Sequence, residues 1–96
     1  MHVSFNPLAE RELNEAAAYY ERAQVGLGAD FLSEVERVVL ASAESPEAGL
    51  VLTGRVRRRL CRRFPYAILY RAAPDELRVL AVMNLNRRPS YWHGRT

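Results

Sequence analysis

Fourteen arginines and no lysine supply the basic side chains of this 96-residue chain, and seven fall in one stretch: Arg55, Arg57, Arg58, Arg59, Arg62, Arg63 and Arg71. A guanidinium is always charged and can grip a carboxylate or phosphate through two parallel N–H donors. A second group sits near the C-terminus, where Arg87, Arg88 and Arg95 accompany Tyr91 and Trp92. Guanidinium groups neutralise phosphate and aromatic rings stack on bases, so the mixture suits nucleic acid. It suits an acidic protein partner equally well. Tyr91 and Trp92 have two readings at this point: contact residues, or aromatics that fold back to close the core. Cys61 is the single cysteine, which excludes an internal disulfide and a thiol metal cluster and reads as a reduced structural thiol. His2 and His93 are too few and too far apart for a zinc site, so no metal and no cofactor is expected.

Charge is polarised along the chain. Residues 1–50 carry three arginines and nine acids, a net −6, whereas residues 51–96 carry eleven arginines and two acids, a net +9. With 49% hydrophobic and 26% charged residues the composition is that of a globular protein, and the length suits one domain over residues 1–96. No apolar run approaches the roughly 20 residues that span a bilayer, and the N-terminus lacks the pattern of a signal peptide. A soluble, cytoplasmic protein without a membrane partner is expected.

The elements that must hold these arginines follow from periodicity. Val3 and Phe5 alternate in an opening strand, and Asn6-Pro7 starts a helix, asparagine as cap and proline in the first turn. Ala9, Leu13, Ala16, Tyr20 and Ala23 recur at helical spacing from Leu8 to about Gln24. Gly26-Leu27-Gly28 breaks that helix, Asp30 is the expected cap of a second over about Phe31–Ser45, whose inward stripe is Phe31 or Leu32, Val35, Val38 or Val39, and Ser42, and Pro46 ends it. So short a break predicts an antiparallel helix hairpin. Residues 47–54 read as a connector whose Leu50, Val51 and Leu52 pack against the domain. Residues 55–63 then alternate as a strand: Val56, Leu60 and Phe64 share one side with Arg58 and Arg62, and Arg55, Arg57, Arg59 and Arg63 share the other with Cys61; the Val56 side is expected to face the helices, its two arginines near the strand ends or snorkelling out. Phe64-Pro65-Tyr66 turns the corner into a strand over Ala67–Arg71, and Leu77–Met83, apolar on both faces apart from Arg78, reads as the central strand. The order β-α-α-β-β-β predicts an α+β fold, an N-terminal strand and a helix hairpin packed on one face of a mainly antiparallel sheet.

Taken together, Val3-Ser4-Phe5-Asn6-Pro7, Ala16-Ala17-Ala18-Tyr19-Tyr20-Glu21, Gly26-Leu27-Gly28, Arg63-Phe64-Pro65-Tyr66 and Arg87-Arg88-Pro89-Ser90-Tyr91-Trp92 resemble, in this order, the RelE/ParE toxin superfamily of bacterial type II toxin–antitoxin systems. The Tyr-Tyr-Glu helix, the Phe-Pro-Tyr corner and the Arg-Arg-Pro-x-Tyr-Trp ending are most similar to its ParE, or plasmid-stabilisation, branch. The resemblance implies a growth-arresting toxin silenced by a cognate antitoxin. That partner would join a ribbon-helix-helix DNA-binding module to an acidic segment that folds over the toxin, so operator DNA would be reached only through it. Arg57, Arg59 and Arg63 are the expected antitoxin-binding residues.

Two activities remain open under that resemblance. Like ParE relatives, the chain would inhibit DNA gyrase without being an enzyme, with Arg87, Arg88, Tyr91, Trp92 and Arg95 engaging the target. Like RelE relatives, it would cut messenger RNA on the ribosome. Attack by a ribose 2′-hydroxyl needs an activated oxygen, a neutralised phosphorane and a protonated leaving group. Arg57, Arg63, Arg87, Arg88 and Tyr91 would be the catalytic set. The gyrase reading is the stronger. There is no lysine to serve as a base, and Asn86 stands before the Arg-Arg-x-x-Tyr segment, where many nuclease relatives carry histidine.

Overall fold

The computed structural model describes residues 1–96. Strand β1 (His2–Phe5) leads into α1 (Pro7–Ala23), and α2 (Leu27–Glu44) returns beside it. One 3-10 turn at Pro46–Ala48 precedes β2 (Leu50–Thr53), β3 (Val56–Leu60), β4 (Tyr66–Ala73) and β5 (Glu76–Asn84). The sheet order is β1-β5-β4-β3-β2, with β1 parallel to β5 and the other pairs antiparallel. This is the expected α+β layering with one strand more than predicted.

Asn6 caps α1: its Oδ1 accepts from the Leu8 N–H at 2.8 Å, with Pro7 in the first turn. The next helix differs from expectation. It begins at Leu27, and Gly26, at φ 90°, stands at the N-cap, leaving Asp30 inside the first turn. The capping carboxylate comes from the preceding helix, since Glu21 accepts from the Gly26 and Gly28 N–H groups at 3.0 Å. Gly28 also lets the helices cross closely, because a Cβ there would sit 2.6 Å from the Ala17 carbonyl oxygen. Of the expected α1 stripe Ala9 and Ala16 are buried, Leu13 and Tyr20 are half-buried against the core, and Ala23, in the last turn, is exposed; Phe31, Val35, Val38, Val39 and Ser42 of α2 are buried. They meet Ile68, Tyr70, Leu77, Val79 and Val82 of the sheet, a core well able to hold the hairpin in place by apolar burial.

Three further expectations are corrected. Residues 50–53 form an edge strand whose Leu50, Val51 and Leu52 are exposed, because only β3 flanks it and no helix covers it. The middle of the sheet is β4; β5 is interior but lies one strand to the side. Finally, it is Arg57 and Arg59 that face the helix layer, opposite core residues Tyr70 and Ile68, while Val56, Arg58 and Leu60 point to the open face. The corner explains why Phe64 nevertheless joins the helix-side core. Arg63 adopts a left-handed φ of 69°, so the alternation does not carry through it.

Candidate functional site

On its β1 side, β5 is only half covered. Pairing with β1 ends at Val79, which leaves the later backbone of β5 open on that side. Buried main-chain groups need partners, and here they come from side chains distant in sequence. The Val82 N–H donates to Glu12 Oε1 at 3.1 Å, and Arg95 Nη1 donates to the Leu80 carbonyl at 3.1 Å. Arg95 also grips Glu12 with both arms, Nη1 to Oε1 at 2.8 Å and Nη2 to Oε2 at 3.0 Å. One carboxylate on α1 thus binds the tail and the strand together.

The tail after Asn84 is a chain of tight turns. Leu85 N–H donates to the Pro65 carbonyl, Tyr91 to Arg88, His93 to Ser90 and Arg95 to Trp92, while Asn6 Nδ2 holds the Thr96 carbonyl at 2.9 Å. Trp92 is 5% exposed and packs on the open face against Ala67, Leu69, Ala81 and Met83, its Nε1 donating to the Pro89 carbonyl at 2.7 Å. Trp92 therefore closes a second, smaller core. Arg87 and Arg88 stay exposed.

Tyr91 joins the two halves of this arrangement. The Arg87 guanidinium carbon lies 4.2 Å from its ring centroid and that of Arg95 4.9 Å, within cation–π range. Its hydroxyl is buried and makes no hydrogen bond of sound geometry. Burial first, and then the Glu12 carboxylate beside it, push the phenol well above its ordinary pKa of 10.0 against the opposing pull of Arg95 and Arg87. Tyr91 is a neutral phenol, a donor and not a base.

Arg87 and Tyr91 share an open hollow of about 520 Å3 with Glu12, Glu15, Tyr19, Tyr20 and Tyr66. Of the sequence-predicted nuclease set, these two alone line it. Arg57 lines a different hollow, near the 3-10 turn, where Nη1 donates to the Glu47 and Gly49 carbonyls at 3.0 and 2.9 Å. Arg59 is half-buried on the same side of β3. Arg63 stands at the corner with a 64% exposed side chain, 3.6 Å from the Asp30 carboxylate and over the Phe64 ring. Sequence reasoning missed Glu12, Glu15, Tyr19 and Tyr20 as cleft residues. Their spacing along α1 places them on one side of that helix, but nothing in it points to the tail. No group of three or more His, Cys, Asp or Glu side chains is placed to hold a metal ion, and no helix is long and apolar enough to cross a membrane.

The family model of the ParE toxin of type II toxin–antitoxin systems, parDE, matches residues 3–89. Among solved structures, a chain of the chromosomal ParDE toxin–antitoxin system of P. aeruginosa superposes with a TM-score of 0.76 at 15% identity, over 88% of this chain and 96% of that one. At that identity the likeness speaks for the fold. No curated protein matches the chain significantly in sequence. Helix hairpin and mainly antiparallel five-stranded sheet together match a small ParE-like fold. By the extent of the family match, the chain belongs to the ParE toxin family of type II toxin–antitoxin systems.

Proposed function

We propose that the chain acts as a ParE-like inhibitor of DNA gyrase and is held silent by a cognate antitoxin. The observation carrying this reading is the tail. Arg87 and Arg88 are exposed, neither is in an ion pair, and both stand on a segment pinned at Trp92, Arg95 and Thr96. A rigid, positively charged surface loses little conformational entropy on binding. In this proposal Arg87, Arg88 and the open side of Tyr91 make contact with gyrase or its cleaved DNA complex, while Trp92 and Arg95 hold them in place. An acidic antitoxin segment, attached to a ribbon-helix-helix module, engages the arginine strand at Arg57, Arg59 and Arg63, and operator DNA is met only through that module. The protein acts in the cytoplasm, where gyrase works.

One observation favours the second reading, ribosome-dependent cleavage of messenger RNA. Arg87 stacks on a phenol held in its protonated form, a cation and a donor side by side. Against it, Arg57 and Arg63 do not line the same hollow. The two readings separate in parallel assays. Gyrase inhibition predicts blocked supercoiling or trapped cleaved DNA with transcripts intact in a translating extract. Cut transcripts with normal supercoiling would replace it by the nuclease reading.

A further inference from the structure

The open face of the sheet carries a charge arrangement that its fold does not need. Cross-strand register places Arg71 of β4 directly opposite Arg78 of β5, and like charges so placed destabilise a sheet. Arg58 of β3 lies opposite Leu69, hence diagonal to Arg71 on the same face. None of the three forms an ion pair, and Arg78 has only a long 3.4 Å contact to the Thr96 carbonyl. Arg71 and Arg78 line a shallow hollow of about 610 Å3 with Arg55, Val56 and Glu76. The one acid there, Glu76, accepts from Ser4 Oγ at 2.9 Å, and Arg55 donates to the Ala72 carbonyl at 2.8 Å. Beside the arginines the same face is apolar and uncovered. Leu50, opposite Arg58, is 59% exposed and Leu60 53%, because Trp92 and the tail cover β4 and β5 but do not reach β2.

We infer that Arg58, Arg71 and Arg78, flanked by Leu50 and Leu60, form a docking surface for a protein segment that alternates acidic and apolar residues. Carboxylates satisfy the clustered guanidinium groups and relieve the Arg71–Arg78 repulsion, while the apolar residues cover the leucines. The leucines select protein over nucleic acid, since a phosphate backbone offers them nothing to pack against. A second copy of this chain is a poor occupant, because it would bring its own arginines to the same place. The inference rests on the antitoxin part of the functional proposal, extends the antitoxin's footprint from Arg57, Arg59 and Arg63 on the helix side to the opposite face, and makes no use of the tail.

The test uses the whole purified chain and a labelled twelve-residue peptide of alternating glutamate and leucine, with a glutamate–serine peptide and a twelve-nucleotide single strand as comparators. Fluorescence anisotropy should show salt-sensitive binding of the glutamate–leucine peptide ahead of both comparators. The pair Arg71→Gln and Arg78→Gln should weaken it by about tenfold or more, and Leu60→Ser should weaken it too. The same double variant should unfold at the same or a higher temperature, because a repulsive pair has been removed; a lower Tm would assign these arginines a merely structural role and overturn the inference. Tighter binding of the oligonucleotide through Arg71 and Arg78, or no loss of peptide binding in the variants, would overturn it as well. Supercoiling assays on the double variant separate this inference from the gyrase reading. Retained inhibition with lost peptide binding supports two surfaces, whereas a wild-type chain that leaves gyrase untouched but binds the peptide defeats the gyrase reading alone.

Discussion

Glu12 ties the C-terminal segment to both α1 and β5. Its carboxylate accepts two N–H groups of Arg95 and the Val82 amide, and both charged side chains are mostly withdrawn from solvent, 15% and 11% exposed. Removing one partner of such a pair leaves the other desolvated and uncompensated. Glu12→Gln should therefore cost roughly 1–3 kcal/mol of stability, and residues 85–96 should exchange their amide protons faster than the rest of the chain. Thermal unfolding with hydrogen exchange checks both; an unchanged tail would show that Trp92 alone holds it. Cys61 makes a simpler case. Burial pushes its thiol up to about 11, with the Glu34 carboxylate adding to the shift and Arg37 opposing it. Alkylation of the native protein at pH 8 should be much slower than that of the unfolded chain, and equal rates would contradict a packed, protonated thiol.

Among the elements, the corner between β3 and β4 depends on α2 in a way that pH can reveal. Glu34 takes two N–H donors of Arg37 at 2.8 and 2.7 Å and the backbone N–H of Arg62 at 2.6 Å. The Arg37 hydrogen bond is the largest influence, holding the Glu34 carboxyl down to about 2 from an ordinary 4.5 against the effect of burial. The folded pKa lies below the unfolded one, so the unfolded chain binds more protons between these values and stability falls as pH drops from about 4.5 towards 2. Denaturant unfolding from pH 6 to pH 3 should show wild type losing its advantage over Glu34→Gln; a constant difference would mean that the carboxylate is not working as described. These elements were unequally legible in the sequence. Asn6-Pro7 announces α1 because capping is local chemistry, and the apolar spacing of α2 marks Phe31, Val35 and Val38 correctly. β2 was invisible because four residues are too few to set a period and its pairing with β3 is a tertiary fact. The faces of β3 were misread because arginine occupies both, so Val56 and Leu60 alone pointed to a core side and pointed to the wrong one, and the left-handed Arg63 resets the alternation at the corner.

At the scale of the whole molecule, the polarity read along the chain becomes a polarity in space. The acidic half forms β1, the helix layer and the approach to β2, and the arginine-rich half forms most of the sheet and the tail. A few acids cross over to hold the basic half in place, Glu12 at Arg95 and Glu34 beneath the corner. The candidate site was only partly legible for the same reason. Arg87, Arg88 and Tyr91 stand out by type and spacing, whereas Glu12 and Arg95 are 83 residues apart and meet only because α1 packs over β5. Leaving Arg87 and Arg88 exposed and outside any ion pair while Trp92 and Arg95 are consumed in anchoring is what a presented basic surface requires. The central claim is that this anchored tail inhibits gyrase, and a supercoiling assay with purified, antitoxin-free protein tests it most directly. Wild type should block supercoiling or accumulate cleaved DNA, and the double variant Arg87→Ala and Arg88→Ala, still folded by circular dichroism, should need about tenfold more protein or lose the effect. Complete supercoiling in the presence of a large molar excess of folded wild-type protein would contradict the account.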